Sequence, residues 1–499
     1  MKKLFIAFSV LVSSHLLAQG GYDIKISIKG INDSVAYLAK YTFDKQYIVD
    51  TCKKIVKGNI VFKGKKDLDK GVYFLVSQDK VRYFDFFVNE SSKLSITTDA
   101  DDFVKNLKAP GSKENEEFFK YITYITERNK EFNKIREESK GKSKADSITF
   151  MKDKSLELNK AVAKFDQEFM NAHAGTFLYD VLNLKSEKEL KDVPKASNGR
   201  PDSIAVYKYF KAHYWDGVNF KDDRILRTPF FADRVKRYFN SVIIQMPDTI
   251  TVEIDRLMKQ CNPESDMFKF LLAYFMPTYE QSKIMGFDRV FCDLVDTYVR
   301  TGLAKGVYDE NTSKKIAERV DILRPLLLGS VAPELMMIDT INAKITNKMG
   351  FDTAKTSSSV TKLYYDNAQK LTALFTTLYS VKAKWTLLVF WDVDCGHCKT
   401  EMPKLKEEYA KMKGKYDVKI FAVYTQHEYD KWRKYLIENK LDFINVYDPV
   451  HINNIKTKYD IFSTPVIYLL DKDKKIKAKR LSVDQAVEMI KVFDKQETK

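Results

Sequence analysis

Cysteine is scarce in this chain, with five in 499 residues: Cys52, Cys261, Cys292, Cys395 and Cys398. Small domains stapled by disulfides carry many cysteines, evenly paired, so this fold has to rest on its hydrophobic cores. Long apolar runs are scarce too. After the first residues no stretch is apolar for the ~20 residues a membrane-crossing helix needs. Charge of one sign is nowhere concentrated. The net charge is +16, but lysines alternate with acids along nearly the whole chain, which describes solvated faces and not a nucleic-acid stripe. Nucleic acid is therefore not an expected partner. Cys395 and Cys398 form a Cys-x-x-Cys, but no second such pair and no His-x-x-x-His follows to complete four ligands, so no metal is expected. His427 and His451 lack partners at ligand spacing and read as surface or loop residues.

At the N-terminus, Lys2 and Lys3 precede an apolar run over residues 4–12, and Leu16, Leu17 and Ala18 stand before Gln19. A charged start, a short apolar stretch and a small residue predict a cleaved signal peptide over residues 1–18. The mature protein is then expected in the periplasm or cell envelope. No cysteine lies near the cleavage point, which argues against a lipid-modified N-terminus.

A chain of this length exceeds one core, and its pattern divides into three regions. Over residues 20–108 apolar and polar residues alternate in short runs, such as Ile24, Ile26 and Ile28, which predicts a β-rich domain built as a small antiparallel sandwich or barrel. Over residues 112–330 the period becomes helical. Phe118, Phe119, Ile122, Ile125 and Phe132 share one face, and a second helix over about 147–171 is expected to pair with the first as a long hairpin. Tyr207, Phe210, Tyr214 and Trp215 could line a peptide groove, but aromatics at helical spacing read first as core. From residue 331 strands and helices alternate, as in an α/β domain. Strands are expected at 386–391, 418–424, 443–446, 466–470 and 476–478.

The chemistry concentrates in residues 391–403, WDVDCGHCKTEMP, directly after the apolar strand Thr386, Leu387, Leu388, Val389, Phe390. A strand that feeds a Cys-x-x-Cys and then a helix sets the first thiol at a helix N-terminus. Unpaired backbone amides there favour a thiolate, so Cys395 is expected to titrate well below the free value of ~8.5. Cys398 lies one turn on, where it can close a disulfide. His397, as an imidazolium, could add to the stabilisation of the thiolate, and stabilising the reduced form makes a disulfide more oxidising. Cys261 and Cys292 might pair in the helical region, which would leave Cys52 over; sequence cannot bring them together.

Residues 385–499 resemble a thioredoxin fold, and CGHCKTEMP is similar to the TlpA-like and ResA-like branch of bacterial extracytoplasmic thiol-disulfide oxidoreductases. The order of the whole chain resembles the large multidomain thioredoxin-like proteins of Bacteroidetes. The resemblance implies that Thr464-Pro465 occupies the place of the family's cis-proline, beside the reactive sulfur. It makes Cys395, His397, Cys398, Glu401 and Pro465 the candidate catalytic residues, with Trp391, Thr464 and Pro465 facing substrate and Glu401 handling protons. Two positions depart from the pattern. Asp394 stands where a tryptophan is common and would oppose a thiolate by its charge. Val389 replaces the buried acid of cytoplasmic thioredoxins. The expected activity is thiol-disulfide exchange with protein thiols or disulfides, with no cofactor and with a membrane thiol-transfer partner of the kind the family uses. The competing reading makes the first 330 residues a client- or ligand-binding surface module and the redox pair an accessory.

Overall fold

The computed structural model describes residues 20–497 apart from 187, 189 and 355, so the expected signal segment lies outside the described residues. By contacts the chain forms two compact units, one running to Ile244 and including Lys259–Phe268, the other comprising Gln245–Met258 and everything from Lys269. The helical stretch is thus shared between them.

In the first unit, strands β1 (Tyr22–Lys29), β2 (Ala36–Thr42), β3 (Lys45–Cys52), β4 (Asn59–Gly64), β5 (Gly71–Val76), β6 (Arg82–Val88) and β7 (Lys93–Asp99) make two sheets, ordered β4-β1-β7 and β3-β2-β5-β6. Ile24, Ile26 and Ile28 are all buried, as strict alternation on a half-buried strand requires. One pairing differs from the antiparallel expectation. β1 and β7 run parallel, with Ile24 opposite Leu94 and Ile26 opposite Ile96. A parallel pair needs a long crossover, and the five strands between them, four of which form the other sheet, supply it.

Helices Lys113–Ser139 and Lys144–Ala172 follow, the second capped by the Ser143 side chain. They lie together as a hairpin, with the rings of Tyr124 and Phe165 stacked at 3.7 Å. Of the four aromatics read first as core, only Tyr214 is buried, with its ring 4.9 Å from that of Trp215; Tyr207, Phe210 and Trp215 are half-buried.

The second unit carries a seven-stranded sheet built from β8 (Met336–Asp339), β9 (Phe375–Thr377), β10 (Trp385–Trp391), β11 (Val418–Tyr424), β12 (Ile444–Tyr447), β13 (Val466–Leu470) and β14 (Ile476–Lys479). Their order is β14-β13-β10-β11-β12-β8-β9. β10, β11 and β12 are parallel, while β13 runs antiparallel to β10. Every residue of β10 is buried. Trp385, Leu387, Val389 and Trp391 face one core, with Met402, Leu405 and Ile490 from covering helices. Leu388 and Phe390 face a second core, with Leu326, Leu335 and Tyr459. Burial on both faces is why this strand reads as an unbroken apolar run.

The sheet and its preceding helices are tied by charge as well. Lys479, only 8% exposed, donates to the carboxylate of Asp288 and to the carbonyl of Leu326. Helices Ala343–Lys348 and Ser357–Thr372 lie between β8 and β9, the second starting at a capping box made by Thr356 and Ser359.

Candidate active site

The carboxyl ends of β10, β11 and β12 coincide, because Trp391 is paired with Tyr424 and Tyr424 with Tyr447. The loops that leave this edge therefore emerge together, in the position where open α/β sheets hold their ligands. The first of them leads into helix Gly396–Met412, with Cys395 as its N-cap.

The cap geometry explains the chemistry available to Cys395. Its Sγ accepts a hydrogen bond from the Cys398 amide at 3.3 Å and, as a thiol, donates to the Thr464 carbonyl at 3.1 Å. Burial pushes this thiol up. Hydrogen bonds from Thr464, from the Cys398 thiol and from the backbone amides of Cys398 and His397 outweigh burial and hold it below the ordinary cysteine value. Cys398 is the reverse case. It is 1% exposed, and burial first, then the bond with Cys395, pushes it up to about 12. The pair is unbridged. Its members differ sharply: one is half-exposed and readily ionised, the other enclosed and protonated.

His397 is exposed, and its contribution to Cys395 comes through its backbone amide. Asp394 forms an ion pair with Lys431 at 2.9 Å, which offsets the charge expected to oppose the thiolate. The Thr464–Pro465 peptide is cis and both residues are half-buried. Glu401 lies at the start of helix Val483–Glu497, where its Oε2 accepts from the Val483 amide at 3.2 Å. That amide is one of the unpaired donors of a helix N-terminus, so the carboxylate has a structural partner there.

Trp391 corrects the sequence expectation. It was expected to face substrate, but it is 0% exposed, with its ring 5.8 Å from Tyr424 and 5.2 Å from Tyr435. Burial on both faces of β10 decides this, and Trp391 shares one of the two cores with Val389 and Leu387.

Three neighbours escaped the sequence reading. Lys431 is one. His427 and His451, read as surface or loop residues, are exposed loop residues; what escaped is that they meet, with rings stacked at 3.7 Å and His427 Nδ1 3.0 Å from the Asp448 carbonyl. Burial first and the facing His451 second push His427 below the ordinary imidazole value. Both follow the carboxyl ends of neighbouring strands, His427 after β11 and His451 after β12, and that was the available signal. Among the described residues no group of three potential ligands surrounds a metal position. Cys292 is a free, fully buried thiol, so the Cys261–Cys292 bridge is not formed, and burial pushes both thiols up to about 12.

Three family models match the chain. The AhpC/TSA family covers residues 367–479, and two domains of unknown function, DUF4369 and DUF5106, cover 22–118 and 136–324. A domain of a possible thiol-disulfide isomerase from Cytophaga hutchinsonii is 33% identical, over 35% of this chain and 99% of that one, with a TM-score of 0.27. The thioredoxin domain of a thiol-disulfide oxidoreductase from Bacteroides vulgatus is 25% identical over 34% and 97%, with a TM-score of 0.26. A thioredoxin-like protein from Bacteroides caccae is 18% identical over 61% and 99%, with a TM-score of 0.42. No curated protein matches the chain. With 33% identity across 99% of the Cytophaga domain and a family match over 367–479 that spans the Cys-x-x-Cys, the chain belongs to the thioredoxin family of thiol-disulfide oxidoreductases, as a TlpA-like member.

Proposed function

We propose that this protein exchanges disulfides with client proteins in the periplasm or cell envelope, with Cys395 as the attacking thiol and Cys398 as the resolving one. The observation that carries this reading is the asymmetry of the pair: Cys395 is held below the ordinary thiol value at a helix N-cap, and Cys398 is buried and raised to about 12. Starting from the dithiol, the Cys395 thiolate attacks one sulfur of a client disulfide. A Cys395–client bond forms, the client S–S bond breaks, and the departing client thiolate takes up a proton. Cys398 then loses its proton and attacks Cys395; the Cys395–Cys398 bond forms, the Cys395–client bond breaks, and the departing client thiolate takes up a proton. The protein is left as the disulfide and the client as the dithiol, with two electrons transferred. Run backwards, the same steps oxidise a client. The half-buried Thr464–Pro465 segment, whose carbonyl meets Sγ, receives the client chain. A membrane thiol-transfer partner resets the pair between cycles.

The test is to trap the intermediate. Cys398→Ser keeps the attacking thiol and removes the resolving one, so mixed disulfides with clients should accumulate on Cys395 in cells and be identifiable by mass spectrometry after non-reducing gels. A variant that traps nothing above the level of the Cys395→Ser, Cys398→Ser double variant would refute client exchange.

His397 offers a finer test, because proline and alanine remove different things. His397→Ala deletes the imidazole and keeps the amide, whereas His397→Pro deletes both, since proline has no N–H. The amide supports the thiolate, so the rate of iodoacetamide modification of Cys395 should rise with pH through a midpoint that lies below an ordinary cysteine in the native protein. That midpoint should move up more for His397→Pro than for His397→Ala. Losing thiolate stabilisation disfavours the dithiol, so the reduction potential of the Pro variant should fall by tens of mV, where ~30 mV is ~1.4 kcal/mol for two electrons. Equal shifts in the two variants would assign the effect to the imidazole.

A further inference from the structure

One large apolar side chain in the segment that meets the thiol is left in water. Phe462 is 80% exposed, while its neighbours Asp460 and Ile461 are each 4% exposed. It stands two residues before Thr464, whose carbonyl accepts from Cys395. Two residues of chain span at most ~7 Å, so the Phe462 backbone lies within that reach of Thr464, the residue whose carbonyl meets the reactive sulfur.

The segment that presents Phe462 is held firmly. The Asp460 carboxylate, 1% exposed, accepts from both Arg319 and Arg480, with Arg319 Nη2 at 3.0 Å. The Ile461 amide donates to the Lys456 carbonyl at 2.8 Å, and the Tyr468 hydroxyl donates to the Tyr459 carbonyl at 2.9 Å. Arg319 comes from helix Glu310–Leu323, so a helix that precedes the redox sheet in the chain helps to fix this loop. An apolar side chain carried on a fixed backbone is partly preorganised, since less ordering of the chain remains to oppose binding.

Resting on the exchange reading above, we propose that Phe462 is a specificity-determining residue that selects clients with a large apolar side chain within two residues of the cysteine under attack. The client side chain leaves water against the phenyl ring during formation of the mixed disulfide. Clients with polar flanks react without that contact and more slowly.

The test uses two synthetic peptides, each carrying one cysteine as a mixed disulfide with glutathione. In one, leucine flanks the cysteine on both sides; in the other, serine does. Release of free peptide thiol by the reduced full chain gives a second-order rate constant for each, and their ratio is independent of the fraction of active protein. The leucine peptide should react faster by on the order of tenfold. That ratio should fall to near one in Phe462→Ser and persist in Phe462→Leu. A ratio near one in the native protein, or an undiminished ratio in Phe462→Ser, would overturn the assignment. A native protein that leaves both peptides and glutathione disulfide intact would overturn the exchange reading itself, and this one with it.

Discussion

Cys395→Ser should abolish reduction of insulin disulfides, lowering kcat/KM by about a thousandfold or more, the scale of loss when an enzyme loses its nucleophile. A serine hydroxyl does not ionise near neutral pH and cannot form the mixed disulfide, so no first step remains. The substitution is unusually clean in structural terms. Cys395 is the N-cap of its helix and accepts from the Cys398 amide. Serine is among the best N-cap residues and can accept the same bond. The variant should therefore unfold at nearly the native temperature while showing only background turnover. If it retained full activity, the attacking thiol would have to be sought elsewhere. The remaining cysteines, all buried, offer no exposed alternative.

Trp391→Ala should be the most destabilising of the substitutions considered, and it should act through stability and not through substrate affinity. The indole is fully buried among Cys398, Met402, Tyr424 and Trp432, beneath the helix that carries the thiols. Truncating such a side chain to alanine removes its transfer energy and leaves a cavity, at a cost of about 3–5 kcal/mol. For a cooperative unit of this size that corresponds to a fall in Tm of about 10 °C. Calorimetry of the variant, together with KM for insulin measured well below its new Tm, separates the alternatives. A raised KM with unchanged Tm would restore the reading in which Trp391 touches substrate. Trp391→Phe keeps most of the apolar volume and should lose much less.

The parts of the molecule legible in sequence are those whose signal is local. β10 shows itself by its apolar run, the helix after it by Met402, Leu405, Tyr409 and Met412, and the reactive pair by its position between them. β8 and β9 were not foreseen. They are four and three residues long, too short for a period, and exist because β8 finds a partner in β12, over a hundred residues further on. The parallel pairing of β1 with β7 is equally non-local. Glu401 shows the same limit within the site. The resemblance implied proton handling for it, but its hydrogen-bond partner, Val483, 82 positions away, could not be read from the sequence. Trp391 was misread for a different reason: the resemblance placed it facing substrate, whereas β10 is covered on both faces and leaves none of its residues exposed. His427 and His451 meet only because β11 and β12 lie side by side.

The burial of Lys479 limits how the redox module could be exchanged among proteins during evolution. Its ammonium is satisfied by Asp288 and by the Leu326 carbonyl, both earlier in the chain than the first strand of the sheet. A recombination joint placed at β8 would leave that charge enclosed without a counterion, a defect worth several kcal/mol. The inheritable segment therefore begins no later than residue 288, or else position 479 must change when the joint moves. A lineage that shuffles its N-terminal regions while keeping this lysine has to carry the intervening helices along with the thiols.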